Sequence, residues 1–152
     1  MLKIGAQMYT AREFCKTPAD IAKSCARVKA MGYDGIQISG FGPIEPAEVK
    51  RILDGEGLAC AATHIGLDRM KNDTRAAIDE HLLWDCHYTA IGGFFPKAED
   101  WSRALWENFI ADYNAVAAKF AGSGVAICYH NHSHELATAE AVRPLDLPIE
   151  KL

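Results

Sequence analysis

The stretch Tyr129-His130-Asn131-His132-Ser133-His134-Glu135 concentrates more reactive side chains than any other part of the chain. Imidazoles, a carboxamide and a carboxylate are the set that binds Mn²⁺, Zn²⁺, Fe²⁺ or Co²⁺ and moves protons near neutral pH. If an extended strand runs through the stretch, alternation puts His130, His132 and His134 on one face and Asn131 on the other. Glu135 then sits in the loop just beyond, free to fold back. The plainer alternative is a histidine-rich loop satisfied by water and backbone. A structural zinc site is disfavoured, because no cysteine stands at knuckle spacing. His64 ends the otherwise apolar run 59–65, where a histidine serves either as a hydrogen-bonded core residue or as a site residue. His81 reads as a helix-surface residue and His87 as a strand start, neither with a role.

These groups need elements to position them, and the chain supplies a regular alternation. Strands are predicted at 2–8, 35–39, 58–65, 87–91 and 125–129, each an apolar run. Helices are predicted between them. Thr17 caps one, with Pro18 at its first position and Asp20 in its first turn; it runs to Gly32. A second starts at Glu45-Pro46 and ends at Gly55 or Gly57. A third spans 73–85, and the longest spans 101–121. Strand starts recur at roughly the ~30 residues of one βαβ unit, which means a parallel sheet, either doubly wound or closed into a barrel. No Gly-x-Gly-x-x-Gly follows the first strand, so the commonest open-sheet signature is missing. Polar residues recur where the strands end: Gln7 and Tyr9, Gln37 and Ser39, His64 and Asp68, then His130 onward. Successive loops converge at that end of a parallel sheet, so one shared pocket is expected. Ser39 and Asp68 are equally well explained as simple strand stops. Phe94, Phe95 and Trp101 either wall the pocket or cap the barrel end, while Trp84 and Trp106 pack helices.

The 152 residues fit one domain, and 49% apolar with 24% charged content fits an ordinary globular chain. Sixteen Lys+Arg against 20 Asp+Glu give a net charge of -4, without bulk attraction for a polyphosphate. A nucleic-acid partner is therefore not expected. Neither a membrane-length apolar run nor a leader pattern is found, so the expected compartment is the cytoplasm. The five cysteines are scattered and form no CxxC pair, which reads as reduced core thiols.

Four segments together resemble one family: Gly5-Ala6-Gln7-Met8-Tyr9-Thr10; Gly32-Tyr33-Asp34-Gly35-Ile36-Gln37; Thr63-His64-Ile65 with Leu67-Asp68; and Tyr129-His130-Asn131-His132 ending in Glu135. They look like the xylose isomerase-like sugar phosphate isomerase/epimerase family, with YHNHxxE the most specific part. The resemblance covers essentially the whole chain. It implies a partial (β/α)8 TIM barrel, with about five parallel strands and flanking helices in a single domain over 1–152. It implies isomerisation or epimerisation of a sugar or keto-sugar by metal-assisted proton transfer beside a carbonyl. Glu135 is then the metal ligand and, with His132, catalytic, while Gln7, Tyr9, Gln37, His64 and His130 bind substrate. The cofactor implied is a divalent metal (Mn, Zn, Mg or Co). Some relatives are dehydratases or act on oxidised glycosides, so the substrate does not transfer.

Eight βα units need about 250 residues, so the chain resembles five of them, C-terminally truncated. Its last part, from Arg143 to Leu152, resembles the helix before the family's sixth strand. Relatives draw further ligands from later strands: an acid, a histidine or glutamine, and a glutamate. The expectation is an enzyme impaired unless a partner chain completes the barrel, with homo-oligomerisation covering the open sheet edges. The competing readings are a non-catalytic half-barrel or binding module, and a zinc-cluster DNA-repair phosphoesterase, which the net acidity disfavours.

Overall fold

A computed structural model describes residues 3–137 and 143–147 of the chain. The strands are β1 (Gly5–Gln7), β2 (Gly35–Ile38), β3 (Ala59–His64), β4 (Tyr88–Ile91) and β5 (Ala126–Tyr129), all parallel in one sheet of order β1-β2-β3-β4-β5. Sequential order settles the choice the sequence left open. A doubly wound sheet reverses direction at a switch point, whereas a barrel adds each strand beside the last. The helices are α1 (Pro18–Ala30), α2 (Pro46–Glu56), α3 (Leu67–Asn72), α4 (Thr74–Leu83) and α5 (Arg103–Phe120). Right-handed crossovers put them on one face of the sheet, where α1 packs on α2, α2 on α4 and α4 on α5.

Local chemistry explains the ends. Thr17 and Asp20 form a reciprocal capping box at α1, with Pro18 at the first helical position. Gly57 ends α2 at φ 63°, a conformation that costs a residue with a side chain more. Other expectations are corrected. The first strand is three residues long, because the backbone turns into a 3-10 segment, Met8–Phe14, right after Gln7; Leu2 lies outside the described residues. The helix expected over 73–85 is two helices: α3 occupies the expected loop, and Asp73, at φ -122° and ψ 37°, separates it from α4. The last strand ends at Tyr129, where the sequence placed its end, so strand alternation does not order His130, His132 and His134. Of the C-terminal helix expected from Arg143, only a 3-10 turn at Pro144–Asp146 is seen; 148–152 lie outside the described residues.

Between sheet and helices lie two contiguous apolar clusters. One joins Met8, Ile21, Cys25, Ile36, Val49, Leu53 and Trp84; the other joins Met70, Ile78, Trp106, Tyr113, Val116, Phe120 and Ile127. Fully burying each large side chain contributes about 1.5–3 kcal/mol. Cys15, Cys25, Cys60 and Cys86 are buried free thiols as expected, but Cys128 is exposed. It sits with Ala59, Ala61, Tyr88 and Ala126 among the exposed strand residues of the concave sheet face. No helix among the described residues is long and apolar enough to cross a membrane.

His81 corrects the sequence reading most sharply: it is 0% exposed. Its Nδ1 donates to the Ala77 carbonyl at 2.6 Å, which leaves Nε2 to accept from the Thr63 hydroxyl at 2.6 Å. Thr63 in turn accepts from Thr89 at 2.7 Å. The chain ties α4 to β3 and β4 on their helix-facing side. Burial, the largest cause, lowers the His81 pKa below the ordinary histidine value. The unfolded state therefore binds the extra proton first, and stability from neutral His81 is present above ~6.5 and lost as pH falls below it. The urea midpoint should drop between pH 7 and pH 5, less steeply in a His81→Gln variant. Thr63→Val, which strips the buried imidazole of its donor, should cost about 1–3 kcal/mol by urea denaturation at pH 7.5.

Candidate functional site

The carboxyl end of the sheet gathers most of the polar residues singled out in the sequence, and the reason lies in β3. Ile36 pairs with Cys60, but Gln37 pairs with Ala62, so β3 carries one extra residue there. Because successive side chains point to opposite faces, that bulge reverses the phase beyond it. Cys60 and Thr63 both face the helices, and His64 falls on the concave side beside Gln37. The Gln37 amide nitrogen is 3.0 Å from His64 Nε2, and Ser39 Oγ is 3.1 Å from His64 Nδ1. Both ring nitrogens are held.

Three further imidazoles continue from this one. His130 meets His64 edge-on with ring centroids 4.7 Å apart, His132 meets His130 at 4.8 Å, and His134 stacks on His132 at 5.8 Å. The four rings form a ladder across the ends of β3 and β5. Burial first, then the neighbouring His130 and His132, lowers the His64 pKa, which favours its neutral form at pH 7.

Glu135 closes the ladder's far end. It is 1% exposed, within a 3-10 turn at His134–Leu136. Tyr129 donates its hydroxyl to Oε1 at 2.7 Å, and the His132 amide donates to Oε2 at 2.8 Å. His134 Nε2 lies 3.4 Å from Oε2 and donates to the Phe94 carbonyl at 2.8 Å. Burial and the adjacent carboxylate push the Tyr129 phenol well above its ordinary range, so it remains a donor. No lysine or arginine pairs with Glu135 among the described residues.

The loop after β4 covers this arrangement. Phe95 packs on His132 at 4.9 Å and on His134 at 5.2 Å, while Phe94 stacks on Phe109 at 4.1 Å. Gly93 permits the fold-over: its φ is 130°, and a Cβ there would stand 2.7 Å from the Phe95 ring and 2.9 Å from His132 Nδ1. That nitrogen is buried and has no protein partner. Trp101 lies 6.2 Å from His134, so Phe95 and Trp101 wall the ladder while the Phe94 ring packs on Trp106 and Phe109 of α5. Beside it opens a cleft of about 320 Å³ lined by His64, Ile65, Leu67, Ile91, Phe94 and Phe109. A larger groove, about 770 Å³, lies at the opposite end of β4 and β5 and is part of the open sheet edge rather than of this site.

Gln37, His64, His130, His132 and Glu135 are thus brought together. Gln7 stands beside Gln37 in register but turns its side chain back to accept from the Tyr9 amide. Tyr9 is 51% exposed, with the Arg12 guanidinium 4.4 Å above its ring, and lies off the ladder. Asp68 is exposed on α3 and does not join. His134 joins them as a member of the histidine-rich stretch, Ser39 as one of the strand-end polar residues, and Tyr129 as a participant to which the sequence gave no separate role. Ser39 read equally well as a pocket residue and as a strand stop, and its hydrogen bond to His64 depends on the bulge.

For a divalent ion the donor set fits in kind. The His132, His134 and Glu135 ligand atoms all lie within 4.8 Å of one another, and a buried carboxylate with neutral donors alone has room for a counter-charge. With Nε2 engaged by Phe94, His134 presents Nδ1 as its lone-pair nitrogen, the arrangement usual for a metal-bound imidazole. Two imidazoles and one carboxylate suit Mn²⁺, Co²⁺ or Zn²⁺ better than Mg²⁺.

No family model matches the sequence, and no curated protein matches it. Solved structures do. The chain is similar to a sugar phosphate isomerase/epimerase from Parabacteroides distasonis ATCC 8503, at 20% identity and TM-score 0.70, over 89% of this chain and 53% of that one. It is similar to a family 2 AP endonuclease from Brucella melitensis, at 15% identity and TM-score 0.62, over 85% and 55%. A xylose isomerase-like TIM barrel protein from Mycobacterium smegmatis, in complex with magnesium, aligns at 16% identity and TM-score 0.62, over 85% and 56%. The chain spans about half the length of these structures. At such identities the likeness is one of architecture: five consecutive βα units with the fold of the xylose isomerase-like TIM barrel proteins.

Proposed function

We propose that the chain carries the strand-end site of a sugar isomerase or epimerase that transfers a proton at a carbon beside a carbonyl. One observation carries the reading: a fully buried carboxylate, with no lysine or arginine partner among the described residues, adjoins a ladder of imidazoles at the carboxyl end of the sheet. Buried charge is costly unless it is paired or holds a metal. Glu135 with His132 and His134 would hold a divalent ion, which supplies polarisation of a carbonyl and a neighbouring hydroxyl when bound. His64, fixed through both ring nitrogens by Gln37 and Ser39, lines the pocket, and His130 beside it hydrogen-bonds a sugar hydroxyl. The proton is carried in the ladder outside the ion set, where His130 stands between His64 and His132.

A small neutral or keto-sugar suits the cleft, whose lining contains no lysine or arginine. The same lack, with the net charge of -4, supports a sugar over a DNA backbone despite the likeness to an endonuclease. Incubation with Mn²⁺ or Co²⁺ and a panel of ketoses in D₂O should replace hydrogen by deuterium beside the carbonyl, read by ¹H NMR. Glu135→Gln should slow the exchange by about 10²-fold or more. A panel with no exchange under any metal leaves the non-catalytic half-barrel as the reading.

Self-association belongs to the same proposal. β1 and β5 each have one outer edge unpaired among the described strands, Tyr88 is 54% exposed, and Asn114 Oδ1 is buried beside the β5 groove without a partner. A second copy would cover these groups. Sedimentation velocity should give a species heavier than one chain; a monomer across the concentration range refutes it.

A further inference from the structure

Tyr129 is the last residue of β5, and its ring lies on the helix-facing side rather than in the ladder. It packs between Phe109 at 5.9 Å and Tyr113 at 6.0 Å. Tyr113 is itself fixed: its hydroxyl donates to the Cys128 carbonyl at 2.7 Å and accepts from the Ile91 amide at 3.2 Å. The Tyr129 ring therefore cannot turn without disturbing the seat of α5 on β4 and β5. From it a short covalent and hydrogen-bonded path leads outward. The phenol holds Oε1 of Glu135, Oε2 holds the backbone amide of His132, and the His132 ring stands between His130 and His134.

We propose that Tyr129 is a positioning residue: its hydroxyl fixes the Glu135 carboxylate, and through it the backbone at His132 and the registry of the histidine ladder against the sheet. Both carboxylate oxygens are used, Oε1 by the Tyr129 hydroxyl at the end of β5 and Oε2 by the His132 amide within the turn that follows, so neither alone can orient the group. Removing the phenol oxygen frees Oε1 to rotate about the side chain's last torsion, which is broad and weakly restrained. Oε2 then leaves the amide. The inference rests on the isomerase reading only for its metal arm.

The test uses the full chain as Tyr129→Phe, which keeps the ring and deletes the hydroxyl, and as Glu135→Asp, whose shorter carboxylate cannot span both donors. Native-state hydrogen exchange by NMR reads the His132 amide, with the Ala126 amide, which donates to the His87 carbonyl at 2.8 Å, as a control for folding. Exchange at His132 should accelerate by about tenfold or more in both variants, the scale of losing a hydrogen bond to a charged acceptor, while Ala126 keeps its protection. Should Tyr129→Phe lose protection at Ala126 as well, the Glu135→Asp variant decides. A His132 amide as protected as in the wild type in both variants overturns the proposal. In parallel, Co²⁺ is titrated by its visible absorption, and Tyr129→Phe should bind about 10–100-fold more weakly with an altered spectrum. A wild-type chain that takes up no Co²⁺, with His132 still accelerated in the variants, removes the metal reading and leaves the positioning role standing. Equal Co²⁺ affinity, equal spectra and unchanged amide exchange remove the positioning role and leave the metal reading.

Discussion

A carboxylate 1% exposed to solvent dictates the geometry at the end of β5. Taking an ion out of water costs several kcal/mol, and the cost is offset only where donors converge with good geometry. Glu135 receives a phenol and a main-chain amide within 2.8 Å, with an imidazole near by. Meeting those donors obliges the chain to double back directly after Tyr129, which is why the strand stops there. Extended backbone through His134 would have carried Glu135 away from the Tyr129 hydroxyl. The histidines end up adjacent all the same, stacked by a compact turn rather than aligned by the alternation of a strand.

A second constraint acts two strands away. The extra residue in β3 puts His64 on the concave face, and without it the same strand would aim His64 at α4 and Thr63 at the ladder. One bulge thus separates two histidine environments within a single stretch of chain. His81 is sealed behind the sheet through Thr63 and Thr89, and His64 faces the cleft through Gln37 and Ser39. Both are shifted toward the neutral form by burial, yet only His64 has a cavity beside it. A shifted histidine acquires meaning from what it faces, and the sheet's phase decides that.

The same distinction separates what could be read in the sequence from what could not. The capping box at Thr17, the proline starts of α1 and α2, the stop at Gly57 and the order of strands and helices are local signals, set by residues within a few positions of one another, and they were legible. So was the meeting of Gln37, His64, His130, His132 and Glu135, since strand ends in a parallel sheet converge whatever their details. His81 was misread because its partners, Thr63 on β3 and the Ala77 carbonyl one helix turn earlier, are brought to it by tertiary packing that its neighbours Asp79 and Glu80 do not announce. α3 was missed because its six residues carry only one buried position, Met70, too little for a periodicity. Ser39 could not be distinguished from a strand stop, because its partner arrives only through a register shift that no residue type announces.

The site also divides by range of contact in a way that bears on how five βα units could work. The clasp from Tyr129 to Glu135 and the upper three rings of the ladder lie within a single seven-residue segment, closed by local bonds and by the loop between β4 and α5. It asks nothing of sheet closure. The rest of the concave face asks a great deal: Ala59, Ala61, Ala126 and Cys128 are small and exposed, a surface that only neighbouring side chains can fill. Chemistry and stability are therefore unequally served by this arc. The histidine–carboxylate unit can be preorganised by β5, α5 and the loop between β4 and α5, while the interior below it needs protein from elsewhere to exclude water. Electrostatic contacts strengthen as water leaves, so whatever covers that face raises the strength of every polar contact to His64 and His130 without supplying a ligand of its own.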